Sequence, residues 1–121
     1  MAGRLVDVGA HVRELIESDS EDAFLVIEVE GTDDFLQLLT VSGILRLDYP
    51  LLTARQRSLE PKLRSAAAAL GLKVKGANDD DEFPVVDVDI PTSADAAEIV
   101  QRLLTELYGV TASTPLRFEH E

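Results

Sequence analysis

The sequence predicts one α+β domain over residues 1–121, in which three helices pack against a mostly antiparallel, five-stranded sheet. Two observations carry this prediction. Apolar residues recur at helical spacing in three segments and alternate in others. In addition, Ser42-Gly43 separates the strand-like runs FLQLLTV and ILRLDY, which is the signal of a tight hairpin. The order αβββαββα therefore corresponds to an α+β layer fold.

The first half of the chain supplies a helix and three strands. Residues 4–17 are predicted as a helix because apolar residues recur there every three or four positions. Residues 23–30, AFLVIEVE, are rich in β-branched and aromatic residues and predict the first strand. After a turn at 31–34, the two arms of the hairpin form the second and third strands.

The middle helix has two candidate starts. Thr53 can cap a first turn and Ser58 a second. Because Pro61 is tolerated only near a helix start, we expect the firm helix to begin near Ser58, with 53–57 as a separate turn, and to end at Gly71.

Two further strands and a helix complete the predicted order. The alternation in LKVKG at 72–76 predicts a short strand. FPVVDVDIP at 83–91 predicts a strand with Asp87 and Asp89 on its solvent-exposed face. Thr92 or Ser93 is expected to cap the last helix, which Gly109 ends. The tail from residue 110 onward is expected to lie on the surface.

The hairpin turn fixes the pairing of its two strands. If Ser42-Gly43 is a two-residue loop, Val41 faces Ile44 and the other pairs follow by counting outward. One face then carries Leu38 with Leu47 and is assigned to the core. The opposite face carries Leu39 with Arg46 and Gln37 with Asp48, and it keeps large apolar side chains.

A sheet face that retains large apolar residues is usually covered, either by the protein's own elements or by a partner. Both alternatives are open here. The partner could be a protein or peptide client, or a second copy of the chain. The candidate partner-binding residues combine the outward face of the hairpin with basic residues expected at its border: Phe35, Gln37, Leu39, Val41, Ile44, Arg46, Arg55, Arg57 and Arg64.

Charge is unevenly distributed along the chain. The sequence has 11 basic and 23 acidic residues, a net charge of −12, which disfavours nucleic acid and anionic membrane surfaces as partners. The segment 53–75 nevertheless carries six basic residues against Glu60 alone. It is either a solvated helix surface or a docking surface for an acidic segment.

No motif for catalysis or phosphate binding is present, so we expect neither an enzyme nor a cofactor. The acidic loop at 78–82 lacks the spacing of a calcium loop and is interpreted as solvated, with cation binding as the alternative. His11 and His120 lie in no ligand motif and are expected to be ordinary surface residues, so no metal site is predicted. The absence of cysteine and of an apolar leader favours the cytoplasm.

The order αβββαββα resembles that of bacterial type III secretion chaperones and the YbjN-like proteins grouped with them. The resemblance lies in FLQLL at 35–39, LTARQRSLEPKLRSAAAALGL at 52–72, and AAEIVQRLLTELYGV at 96–110 followed by PLRFE. It implies a small acidic protein that dimerises and holds extended client segments against its sheet and helices. Nothing in the sequence points to a secretion system.

These observations predict a protein-binding, chaperone-like module. Two alternatives stay open. The first is a structural subunit whose outer sheet face is a permanent homodimer interface. The second is an enzyme or small-ligand protein with a pocket that carries no recognisable motif.

Overall fold

The computed structural model describes residues 1–18, 23–76, 84–92 and 95–120. Its strands are β1 (Ala2–Gly3), β2 (Phe24–Val29), β3 (Phe35–Val41), β4 (Ile44–Pro50), β5 (Lys73–Lys75), β6 (Val85–Ile90) and β7 (Leu116–His120). Its helices are α1 (Val8–Glu17), preceded by a 3-10 turn at Leu5–Asp7, α2 (Ala54–Ala69) and α3 (Ala96–Tyr108).

The described strands form one sheet in the order β1-β7-β2-β3-β4-β6-β5, and every neighbouring pair is antiparallel. The α+β class, the antiparallel sheet and the three helices agree with the sequence prediction. The strand count differs, because β1 and β7 add two strands to the five that were predicted. The order accordingly begins and ends with a strand.

The core lies between one face of the sheet and the three helices. Alternate strand residues such as Leu25, Leu38, Leu47 and Val88 are fully buried in one cluster with residues of all three helices. Helix α3 lies between α1 and α2 and contacts both. Because burial of each such side chain is worth about 1.5–3 kcal/mol, this layer supplies most of the folding energy.

The hairpin adopts the predicted turn and pairing. Ser42 and Gly43 both have positive φ, 51° and 80°, as a two-residue type I′ turn requires. Val41 pairs with Ile44, Leu39 with Arg46 and Gln37 with Asp48. The prediction of the inner and outer faces is therefore confirmed for this hairpin.

The prediction that the tail lies on the surface is wrong. Residues Leu116–His120 form β7, which pairs along β2 and supports the short strand β1 on its other side. Leu116 and Phe118 are buried in the core, so the alternation in PLRFEH was a strand signal. A surface-bound tail would have left both of these large side chains in water.

The expected helix start near Ser58 is also wrong. Helix α2 is continuous from Ala54, with Pro61 in its interior. Thr53 accepts a hydrogen bond from the backbone N–H of Gln56 at 3.0 Å, and the Gln56 side chain accepts one from the backbone N–H of Thr53 at 3.0 Å. This capping box satisfies backbone donors of the first turn and marks the start of the helix at Ala54.

We expect Thr53→Ala to lower the free energy of unfolding by about 1 kcal/mol, because the backbone N–H of Gln56 loses its side-chain acceptor. Ser58→Ala is the matched control. Ser58 donates only to the Arg55 carbonyl within the helix, so its loss should cost less than about 0.5 kcal/mol. Urea unfolding measures both. A larger loss for Ser58→Ala would contradict this assignment of the helix start.

The start of α3 also differs from expectation. Asp95, rather than Thr92, precedes its first residue, and Thr92 instead donates to the Gly43 carbonyl at the hairpin turn. Ser93 and the acidic loop at 78–82 lie outside the described residues. Gly109 ends the helix in the left-handed conformation, as predicted. Within the described ranges, no helix combines the length and apolar character needed to span a bilayer.

Candidate functional site

The outer face of the sheet, opposite the helices, is the candidate site and is called the open face below. Six apolar side chains project from its β2–β4 half: Phe24, Val26, Phe35, Leu39, Val41 and Ile44. Among the described residues none of the six belongs to the buried core, and Ile44 is 41% exposed. The helices therefore cover only one side of the sheet.

An acidic strip borders this apolar half on β4 and β6. It contains Asp48, Asp87 and Asp89, with Arg46 paired to Asp89 through a 3.0 Å contact between Nε and Oδ1. The Lys75 Nζ atom lies 3.9 Å from the other Asp89 oxygen. Arg46 and Lys75 thus both lie beside Asp89.

Asp48 and Asp87 are directly opposite each other on β4 and β6 and share a side-chain hydrogen bond. Burial, this hydrogen bond and the negative charge of Asp87 together raise the pKa of Asp48 to about 7, with a smaller opposing effect from Arg46. Near neutral pH and below, the Asp48 carboxyl therefore holds a proton on the open face. Asp89 already pairs with Arg46, and Lys75 lies opposite Asp87 on β5, so Asp48 is the carboxyl group of the strip at which a cation can replace a proton.

The structure separates the predicted site residues into two groups. Phe35, Gln37, Leu39, Val41, Ile44 and Arg46 all lie on the open face. The three predicted arginines belong to α2, on the helical side of the sheet.

Each of these arginines is engaged within the chain. Arg55 forms two hydrogen bonds to Asp34, of 2.6 and 2.8 Å, beside the start of β3. Arg57 donates to the carbonyls of Leu51 and Leu52, and Arg64 pairs with Glu60. Arg55 therefore reaches one end of the sheet, whereas the described contacts of the other two stay in the helical layer.

A polar cleft lies at that end of the sheet, between Asp34, Tyr49, Arg55 and Tyr108. Its volume is about 140 Å³, smaller than the roughly 300–1,000 Å³ of most ligand pockets. The Tyr49 hydroxyl donates to the Gln56 carbonyl and the Tyr108 hydroxyl to the Phe35 carbonyl. Burial raises the pKa of Tyr49 to about 12 and raises that of Tyr108 as well, so both hydroxyls are neutral donors.

A second polar cluster joins α1 to β7, and the prediction that both histidines are surface residues is wrong for His11. His11 is only 9% exposed, and its ring stacks on Phe118 with the centroids 4.0 Å apart. The Nδ1 atom of His11 lies 2.6 Å from Nε2 of His120. Burial and the adjacent His120 lower the pKa of His11. The two histidines are 109 positions apart, so no local sequence pattern could indicate this contact.

The Asp48–Asp87 pair was also missed, although part of its signal was present. The hairpin register placed Asp48 on the outer face, and the alternation in VVDVDI placed Asp87 on a wet face. Neither pattern shows that β6 pairs with β4, which is the contact that brings the two carboxyl groups together.

Comparison of the chain with protein-family models, with curated proteins and with solved structures gives no match.

Proposed function

We propose that this protein is a binding module that holds an extended, apolar and basic segment of a client protein on its open face. The observation that carries the proposal is the composition of that face, where uncovered apolar side chains adjoin the hydrogen-bonded carboxyl groups of Asp48 and Asp87. The resemblance to secretion chaperones supports the same function, because those proteins hold extended client segments.

The apolar half provides the binding energy. Phe24, Leu39 and Val41 lie on neighbouring strands, so side chains from alternate positions of an extended segment can pack against them. Apolar contact contributes about 25 cal/mol per Å² of surface removed from water, before the cost of ordering the segment.

The acidic strip provides the selectivity. A lysine or arginine of the client beside Asp48 would replace the proton of that carboxyl group, and its positive charge would stabilise the ionised Asp48 carboxylate. An acidic client would instead add negative charge to the pair and would be rejected.

The edges of the sheet are poor docking sites. The described edge strands β1 and β5 have two and three residues, and β5 carries Lys73 and Lys75. Short, lysine-bearing edges discourage the addition of a further strand. A client therefore gains more by lying across the open face.

A second copy of the chain fits this face less well. In aligned two-fold stacking of two open faces, the strip of one copy lies over either the strip or the apolar half of the other. The first arrangement brings like charges together, and the second buries charges against apolar side chains, which is costly. A basic client avoids both costs.

The test is fluorescence anisotropy with labelled ten-residue peptides in which valine and leucine alternate with lysine, glutamate or serine. We expect the lysine peptide to bind at least about 10-fold more tightly than the glutamate peptide, a difference of about 1.4 kcal/mol. Leu39→Glu should abolish this binding. Leu52→Glu is the matched control, because Leu52 is 54% exposed and precedes α2 on the helical side.

Circular dichroism would show that both variants remain folded. Equal peptide binding by Leu39→Glu and Leu52→Glu would contradict the proposal. So would light scattering that shows a stable wild-type dimer converted to a monomer by Leu39→Glu, which would assign the face to self-association.

A further inference from the structure

We propose that His11, Glu14 and His120 form a binding site for a divalent first-row transition metal ion, with Zn²⁺ as the best fit. The site is separate from the open face: it lies on the helical side, where α1 meets β7. The proposal is independent of the client-binding function.

The three side chains already converge. His11 and Glu14 lie one helical turn apart on α1, and His120 is the last residue of β7. One ligand atom from each residue lies within 4.8 Å of the other two. The Nε2 atom of His120 is 2.6 Å from Nδ1 of His11 and 3.9 Å from a carboxylate oxygen of Glu14.

The donor set selects the class of ion. Imidazole nitrogen with one carboxylate suits Zn²⁺ and its transition-metal neighbours, whereas Ca²⁺ and Mg²⁺ prefer ligand sets made of oxygen. Two histidines and one glutamate occupy three positions of a tetrahedral ion. The fourth position would be left to water or to an exchangeable ligand.

The geometry requires a small adjustment. Bonds of about 2.0–2.1 Å at a tetrahedral ion place two nitrogens about 3.3–3.4 Å apart, so the imidazoles must separate by about 0.8 Å. His11 is fixed by its stacking on Phe118. The His120 and Glu14 side chains are 23% and 71% exposed, so these two can make the movement.

The composition of the chain makes the test specific. His11 and His120 are its only histidines, and it contains no cysteine. Any metal ion bound through imidazole side chains must therefore use one or both of these histidines, and their separate resonances show which. The experiment needs protein without a polyhistidine tag.

The experiment is titration of ¹⁵N-labelled full-length protein with ZnCl₂, followed through the imidazole nitrogen resonances. We expect both imidazoles to shift together and to saturate at one equivalent. CaCl₂ and MgCl₂ should leave both unshifted. Saturating Zn²⁺ should also raise the melting temperature, because the ion would link α1 to β7.

Variants separate this site from general attraction of cations to an acidic protein. His120→Ala and Glu14→Gln should each weaken Zn²⁺ binding. For His120→Ala we expect the affinity for Zn²⁺ to fall at least about 100-fold. Losing a group that only supports a metal ligand already lowers metal affinity about 10- to 100-fold. Glu17→Gln, which removes another exposed carboxylate from α1, is the matched control and should bind like the wild type.

Three outcomes would overturn the proposal: no imidazole shift at one equivalent, a shift of one imidazole alone, or Zn²⁺ binding that His120→Ala leaves unchanged. The first would show that the 2.6 Å contact is only a hydrogen bond between α1 and β7. Because His120 is partly exposed, His120→Ala is expected to fold, and circular dichroism checks this.

Discussion

Phe118→Ala is expected to lower the free energy of unfolding by about 3–5 kcal/mol, which is the usual cost of deleting a fully buried phenylalanine ring. Phe118 is 1% exposed on β7, and its ring stacks on His11. The substitution would leave a cavity where β7 meets α1. Urea unfolding monitored by circular dichroism measures the loss.

Phe24→Ala is the matched control, because Phe24 is a phenylalanine on the adjacent strand β2 whose side chain faces the other way, on the open face. It should cost only about 1 kcal/mol, since the residue is already partly in water. Similar losses for the two variants would show that β7 does not contribute to the core as described. A large loss for Phe24→Ala alone would show that the open face is covered.

Asp48→Asn is expected to stabilise the protein at about pH 8 and to have little effect at about pH 4. Between its ordinary pKa of 3.8 and about 7, the Asp48 carboxyl holds a proton in the folded chain that the unfolded chain releases. Its contribution to stability is therefore fully present below pH 3.8 and is lost as the pH rises through about 7.

The size of this effect follows from the change in pKa. A rise in the pKa of Asp48 from 3.8 to about 7 corresponds to a change of at most about 4 kcal/mol in the free energy of unfolding. Screening by water at this partly exposed site reduces the change to about 1–2 kcal/mol. An asparagine at position 48 keeps a donor for Asp87 but removes the charge. Urea unfolding at three pH values between 4 and 8 measures the difference from the wild type.

Glu119→Gln is the control for simple loss of a negative charge. Glu119 lies on β7 of the same open face, where its neighbour across β2 is Val26. We expect no comparable stabilisation from this variant. If Asp48→Asn destabilised the protein at about pH 8, the carboxyl pair would be a favourable contact of the ionised form, and the cationic selectivity proposed for the face would lose its basis.

The two candidate sites differ in how far local sequence could reveal them. The outer face of the hairpin follows from counting outward from Ser42-Gly43, so Leu39 and Ile44 could be placed on it without a structure. The His11–Glu14–His120 cluster could not, because only the pairing of β7 with β2 and the packing of α1 bring its members together.

Helix α2 also has one end that the local sequence predicted correctly and one end that it did not. Its end at Gly71, with a φ of 72°, follows from a local backbone requirement and was predicted. Its start differs from the expectation, because Pro61 favoured a later start whereas the structure has a capping box of Thr53 and Gln56 at the first turn.

By itself, then, the sequence determined the hairpin, its register and the two faces of its strands. These features depend on the backbone conformation of two adjacent turn residues and on side-chain alternation, which are properties of a few neighbouring positions. The tertiary structure alone decided that the tail is a strand, that three helices cover one face only, and that Asp48 meets Asp87 and His11 meets His120. These contacts join residues 39 and 109 positions apart, and their formation depends on the packing of the whole core.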